Sequence, residues 1–187
     1  MPSAAAPFGL RPVFHPSGTI RPEQGTITTG YATTIYENAP IKIGTDGTIQ
    51  LAAAGERAIG SFVGVSYLAS DGRPIVSNRW TASVAGTEIL CWYTRDQNIV
   101  YEIQNAGSVT QADLGNQADW TTATAGNATT GLSSVAMSNT LTDSANAGLR
   151  IVGFGREVNN APGDAFTNVY VQISEHQDVA DRVAYGG

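Results

Sequence analysis

The first 25 residues, MPSAAAPFGLRPVFHPSGTIRPEQG, restrict the fold of this chain more than any other segment. Proline stands at positions 2, 7, 12, 16 and 22. Each proline fixes its φ angle, removes a backbone donor and pushes the preceding residue toward extended geometry. A helix cannot continue through this spacing, and a central strand would lose hydrogen bonds to its neighbours. The segment is therefore predicted to be extended.

The same segment carries apolar and charged side chains at intervals, which is not the composition of a disordered tail. It suits contact with a surface, either that of another protein or that of its own domain, and the sequence leaves both open. We predict an extended N-terminal arm over residues 1–25. Its predicted partner-binding residues are Phe8, Leu10, Arg11, Val13, Phe14, Ile20 and Arg21.

Length and charge limit the class of protein. The chain has 187 residues and a net charge of −6, and one domain is expected at this length. The arginines are scattered without a basic stripe, so we expect no nucleic-acid partner. No apolar run approaches the roughly 18 residues that a membrane helix needs, so we expect no membrane partner. Residues 1–10 show no basic stretch followed by an apolar one, so no secretory signal is expected.

Beyond the arm, the sequence is typical of short β-strands separated by turns. Residues 40–43 and 48–51 alternate around a Thr-Asp-Gly turn, which predicts a hairpin. Residues 88–94 and 99–104 are two strong strand candidates separated by Arg-Asp-Gln-Asn, which predicts a second hairpin.

Two of the predicted strands contain a residue with a specific expected environment. Residues 61–67 form an apolar run in which Gly64 indicates a bulge or a close neighbouring backbone. The single cysteine, Cys91, lies in an apolar run and is predicted to be a buried, unreactive thiol. One cysteine also excludes an intramolecular disulfide.

The prediction that follows is a mainly β fold with little helix. Residues 110–119 are the one short helix candidate, and residues 121–146 are expected to be irregular with one or two short strands. Regularly spaced short strands favour a compact antiparallel β-sandwich or barrel, jelly-roll-like, behind the N-terminal arm. We assign residues 26–174 to this β domain and residues 175–187 to a loosely held polar tail.

Catalytic and metal-binding patterns are weak in this sequence. The two histidines, His15 and His176, stand near opposite ends of the chain, and no G-x-S-x-G motif is present. Pairs of acids such as Asp113 with Asp119 are more typical of turns than of a glycosidase. We therefore predict no catalytic residues, no cofactor and no metal, and a protein that is not an enzyme.

Two tryptophans in predicted loops, Trp80 and Trp120, are candidate surface contacts. An exposed indole can stack on a sugar or on a neighbouring protein. They therefore support an alternative function, a carbohydrate-binding β-sandwich module.

Several segments, taken in order, resemble a known family. They are residues 5–13 (AAPFGLRPV), 39–43 (APIKI), 60–65 (GSFVGV), 96–104 (DQNIVYEIQ), 114–119 (LGNQAD), 149–153 (LRIVG) and 171–177 (VQISEHQ). In this pattern the chain resembles the head decoration proteins, or capsid cement proteins, of tailed bacteriophages. None of these segments is a catalytic fingerprint, so the resemblance is one of pattern and order.

The resemblance implies a structural virion protein. Such a protein binds the outer surface of an assembled capsid, cements neighbouring capsomers and stabilises the head. It implies the major capsid protein as partner, together with further copies of the chain in a trimer or dimer. It also implies the outer face of the virion as location, after assembly in the host cytoplasm. The alternative is a carbohydrate-binding module of a phage fibre or head appendage.

This interpretation assigns the attachment to the arm. Phe8, Leu10, Val13 and Phe14 are expected to fill shallow pockets on the shell or on an adjacent copy of the chain. Arg11 and Arg21 are expected to pair with carboxylates or carbonyls there. Removing the arm is then expected to abolish attachment and to leave the β domain folded.

Overall fold

The computed structural model describes residues 4–142 and 147–179 of the chain. Two antiparallel sheets pack against each other, so the prediction of a mainly β fold of the sandwich type is confirmed. The elements are β1 Arg11–Phe14, β2 Glu23–Gly25, β3 Pro40–Ile43, β4 Ile49–Leu51, β5 Gly60–Ala69, β6 Pro74–Ser77, β7 Gly86–Tyr93, β8 Val100–Gln104, a 3₁₀ turn Gln111–Asp113, β9 Gln117–Trp120, β10 Met137–Thr142, β11 Leu149–Phe154 and β12 Asn168–Ile173.

The strands divide into two sheets. Sheet I has the order β1-β8-β12-β11-β9-β10, and sheet II has the order β2-β7-β5-β3-β4 with β6 paired to β5. Sheet II comes close to closing on itself, because the backbone N–H of Ile49 in β4 donates to Thr26 O just after β2, at 2.8 Å. In sheet I, β1 is an outer strand.

The core lies between the inward faces of the two sheets. Alternation of side chains along each strand directs every second residue inward, and each large apolar side chain buried in this way contributes about 1.5–3 kcal/mol. The largest fully buried side chains are Trp80, Trp120, Tyr101, Phe62, Leu10, Ile27, Ile35, Ile41, Ile49, Ile59, Ile99 and Ile103.

Two local predictions are confirmed. The hairpin of β3 and β4 forms with Ile41 opposite Leu51. The pairing of β5 with β7 shifts register between Phe62 and Gly64, which is the predicted bulge. A Cβ atom at Gly64 would lie 3.1 Å from the backbone oxygen of Ser77, so glycine allows the two backbones to approach each other closely.

The predicted hairpin of residues 88–94 and 99–104 is wrong, because β7 belongs to sheet II and β8 to sheet I. Residues 94–99 are the crossover between the sheets. Thr94 fixes this crossing through its buried hydroxyl, which accepts from Ser61 N at 2.9 Å and lies 2.9 Å from the hydroxyl of Tyr101. The chain also changes sheets between β1 and β2, beside this crossover.

The predicted helix over residues 110–119 is also wrong. The carboxylate of Asp113 accepts from the backbone N–H of Thr110 at 2.7 Å, which closes a single 3₁₀ turn. Ala118 and Trp120 then alternate inward, and their strand, β9, pairs with β10 and β11. Burial of this alternating face outweighs the weak helical preference of the segment.

The first part of the predicted tail is held firmly. His176 is buried, and the side-chain amide of Gln177 both accepts from Ile43 N at 2.7 Å and donates to Ile43 O at 3.1 Å. Residues 175–179 are therefore part of the body, which corrects the prediction for them. Residues 180–187 lie outside the described residues.

Cys91 is completely buried in β7, and burial raises the pKa of its thiol to about 12. We expect alkylation of the native protein at pH 8 to be slower than that of the urea-unfolded chain by a factor on the order of 10³, because the thiolate is the reacting species. Timed iodoacetamide labelling followed by intact-mass measurement checks this, and the unfolded chain is its own control because Cys91 is the single cysteine. Equal rates in both states would contradict the burial.

Candidate partner-binding edge

The N-terminal segment lies on its own domain. Leu10 is completely buried in the core, and its backbone N–H donates to Asn38 O at 2.7 Å. The N–H of Gly9 donates to Val135 O at 3.0 Å, and the side chain of Gln104 binds the backbone of residues 4 and 6. The segment is extended as predicted, but it is not a free arm, and the assignment of Leu10 to a partner surface is wrong.

Arg11 and Phe8 also make contacts within their own domain. Pairing of β1 with β8 places Arg11 opposite Glu102, and the guanidinium forms an ion pair with this buried carboxylate. The same guanidinium lies over the ring of Phe8, 4.6 Å from its centroid. The charge of Arg11 thus neutralises Glu102, and pairing of the exposed Arg11 side chain with a partner stays a prediction.

Val13 and Phe14 are the apolar ones among the predicted contact residues that are exposed. Val13 is 40% exposed and Phe14 is 56% exposed. Two successive residues of one strand are exposed here because the register of β1 against β8 shifts between Pro12 and Phe14, which is a β-bulge. A bulge in an outer strand thus presents an adjacent apolar pair to solvent.

The connection from β1 to β2, residues 15–22, lies against the crossover 94–99. Nε2 of His15 lies 3.2 Å from Oδ2 of Asp96. Asp96 is itself fixed by Asn98, whose backbone N–H donates to Oδ1 at 2.8 Å. This hydrogen bond, with help from His15, lowers the pKa of Asp96, so the carboxylate is charged over a wide pH range.

Arg95 ties two segments that are far apart in the sequence to the same crossover. Its guanidinium holds Asp178 through two bonds, of 2.8 Å and 3.1 Å, and its Nη1 lies 3.3 Å from Oε2 of Glu23. The hydrogen bonds from Arg95 lower the pKa of Asp178. Sequence reasoning treated residues 95–98 as an ordinary turn and missed this role, because only the fold brings Glu23 and Asp178 to it.

A groove of about 670 Å³ lies between the β1–β2 connection and the crossover of residues 94–99. We use the name N-terminal edge for β1 together with this groove. Of the predicted contact residues, Ile20 is half-buried on the groove wall and Arg21 is exposed there. The lining residues are His15, Ser17, Thr19, Ile20, Arg21, Pro22, Glu23, Asp96 and Ile99.

The two candidate surface tryptophans are both in the interior, so that prediction is wrong. Trp80 is completely buried, and its indole N–H donates to Tyr31 O at 3.3 Å. Trp120 is 2% exposed and donates to Ala52 O at 3.1 Å. The strand pairing between Ile35 and Trp80 turns Trp80 inward, and the alternation of side chains along β9 turns Trp120 inward.

Acids that could have formed a catalytic pair serve local structure instead. The carboxylate of Asp164 accepts from Ala161 N at 3.0 Å, and Glu157 accepts from the side chain of Asn168 at 2.7 Å. No group of three or more His, Cys, Asp or Glu that could hold a metal ion is found among the residues that the structure describes. None of their helices is long and apolar enough to cross a membrane. The absence of enzymatic activity stays a prediction.

The fold and this edge define the chain as an antiparallel two-sheet β domain with an exposed apolar bulge beside a groove. Comparison with protein-family models, with curated proteins and with solved structures finds no match.

Proposed function

We propose that the chain is a capsid decoration protein, which binds the outer surface of an assembled phage head and cements neighbouring capsomers. The observation that carries this proposal is the exposed pair Val13 and Phe14 on the bulged outer strand β1. Val13 is the last residue of the segment AAPFGLRPV, where the resemblance to decoration proteins begins, and Phe14 follows it directly.

The contact is made by side chains more than by backbone pairing. An outer strand can accept an added strand from a partner, but Pro12 in β1 has no N–H to donate. Burying the exposed part of Phe14 contributes about 2 kcal/mol per copy. Such a contact is weak alone, yet copies linked on a closed lattice act together and hold the shell more firmly than one contact does.

The overall charge agrees with an external position. A net charge of −6 disfavours contact with packaged nucleic acid and is compatible with the outside of the shell. The partners in this proposal are the major capsid protein and further copies of the chain, as a trimer or a dimer around a local symmetry axis.

The residues that suggested the carbohydrate-binding alternative are not on the surface. It rested on Trp80 and Trp120 as stacking platforms, and both are buried. No observation on the described residues favours it over attachment through the N-terminal edge.

The test is co-sedimentation with undecorated tailed-phage heads, using the full chain, the variant Phe14→Ser and the control Val76→Ser. Val76 is 81% exposed on β6, so the control removes a more exposed apolar side chain elsewhere. We expect saturable binding by the full chain and the control, and binding at least about tenfold weaker for Phe14→Ser. Absence of binding by the full chain would overturn the proposal, and equal binding by all three would move the contact away from β1.

A further inference from the structure

We propose that the groove of the N-terminal edge binds a carboxylate on an extended segment of the partner protein, with Arg21 as its counter-charge. This rests on the proposed function, because the partner is taken to be the shell protein. It adds a polar recognition site to the apolar contact of Val13 and Phe14.

The charges around the groove point to Arg21. Glu23 lies 3.3 Å from the guanidinium of Arg95, and Asp96 accepts from Asn98 N at 2.8 Å, so neither acid on the groove wall is bound to Arg21. Arg21 is exposed on the same wall and has no ion pair or hydrogen bond within residues 4–142 and 147–179. The groove therefore offers a cation that the described part of the chain does not neutralise.

The chemistry of Arg21 selects the ligand. A guanidinium presents parallel N–H groups that match the two oxygens of a carboxylate, whereas an ammonium acts as a point charge. The hydroxyl of Thr19 on the groove wall supplies a further donor. A carboxylate is thus favoured over a neutral polar group.

The remaining lining favours a peptide over a small anion. Ile20, Pro22 and Ile99 give the groove an apolar side, and the exposed ring of Phe14 belongs to the strand that leads into it. An extended segment with an acidic side chain next to an apolar one satisfies both kinds of lining. The volume of about 670 Å³ accommodates several residues of such a segment.

The groove is held in place before any partner binds. The N–H of Ser17 donates to Nδ1 of His15 at 3.1 Å, the N–H of Gly18 donates to His15 O at 2.8 Å, and Asp96 is fixed by Asn98. Binding therefore orders little additional chain, which reduces its entropic cost.

The first experiment is head co-sedimentation at low and moderate salt with Arg21→Glu, Arg21→Lys and the control Arg150→Glu. Arg150 is an exposed arginine on β11, so the control makes the same charge change on sheet I. We expect Arg21→Glu to bind at least tenfold more weakly, Arg21→Lys to bind with an intermediate loss, and the control to match the full chain.

The second experiment identifies the carboxylate. Heads decorated with the Arg21→Lys variant are treated with a water-soluble carbodiimide, which activates a carboxylate as an O-acylisourea. The introduced amine attacks the acyl carbon, an amide bond forms and the urea leaves. Lys42 is the single native lysine and is paired with Glu56 at 2.5 Å, so its background crosslinks are identified readily by mass spectrometry. A crosslink from position 21 to an acidic residue of the shell protein is expected.

The outcomes separate the two proposals. If Arg21→Glu binds heads as tightly as the full chain does, the groove site is overturned and the decoration function stands. A crosslink from position 21 to another peptide of this same chain overturns the assignment to a partner protein. Absence of head binding by the unaltered chain overturns both.

Discussion

Deletion of residues 1–25 is expected to leave a chain that does not fold cooperatively. The deletion removes β1 from sheet I, β2 from sheet II and Leu10 from the core. Loss of a buried leucine side chain alone costs about 2–5 kcal/mol, and the total stability of a domain is only about 5–15 kcal/mol. The deletion also leaves the buried carboxylate of Glu102 without Arg11, which adds the cost of an unpaired charge.

Urea unfolding followed by circular dichroism measures this effect, with the full chain and the substitution Phe14→Ser as controls. Phe14→Ser changes an exposed residue of the same strand and is expected to unfold near the midpoint of the full chain. A truncated chain with a sigmoidal transition at an unchanged midpoint would show instead that the segment is an appendage. Truncation therefore cannot test attachment to a capsid, which is why point substitutions at the N-terminal edge are required.

Substitution of Trp80 by alanine is expected to lower the free energy of unfolding by about 3–5 kcal/mol. Trp80 is completely buried, and its ring packs edge-on against Tyr67 with the centroids 5.6 Å apart. Its backbone pairs with Ile35 in both directions, and its indole N–H donates to Tyr31 O. Alanine leaves a cavity and removes one of the two hydrogen bonds to Tyr31 O, which keeps the bond from Ser83 N at 2.8 Å.

Trp80→Phe is the matched comparison, because it keeps a six-membered aromatic ring and loses the pyrrole ring with its N–H. We expect its effect on urea unfolding to be smaller than that of Trp80→Ala by at least about 1 kcal/mol. A value near zero for Trp80→Ala would mean that the side chain is on the surface. That result would restore the sugar-platform role that the sequence alone suggested.

Local patterns were sufficient for several features of this molecule. The Thr-Asp-Gly turn between alternating residues predicted the β3–β4 hairpin, because turn geometry and strand register depend on neighbouring residues. Gly64 marked the bulge in β5, and the apolar run around Cys91 marked a buried strand. Exposure of Val13 and Phe14 agrees with two of the predicted contact residues, although their role in binding stays a prediction.

Other features depend on contacts between residues far apart in sequence. The turn residues 95–98 look the same whether the chain reverses within one sheet or passes to the other. The passage to the other sheet is fixed by the hydrogen bond between Thr94 and Ser61. It is fixed further by the bonds from Arg95 to Glu23 and Asp178. These partners stand 33, 72 and 83 positions away along the chain.

By itself, the sequence of the first 25 residues determined an extended conformation, because five prolines leave the backbone few alternatives. Only the tertiary structure decided which surface that segment covers. Pairing of β1 with β8 and of β2 with β7, with Leu10 in the core and Arg11 on Glu102, attaches it to its own domain. Extended geometry follows from local steric limits, whereas the choice of partner follows from burial and charge that only the folded chain brings together.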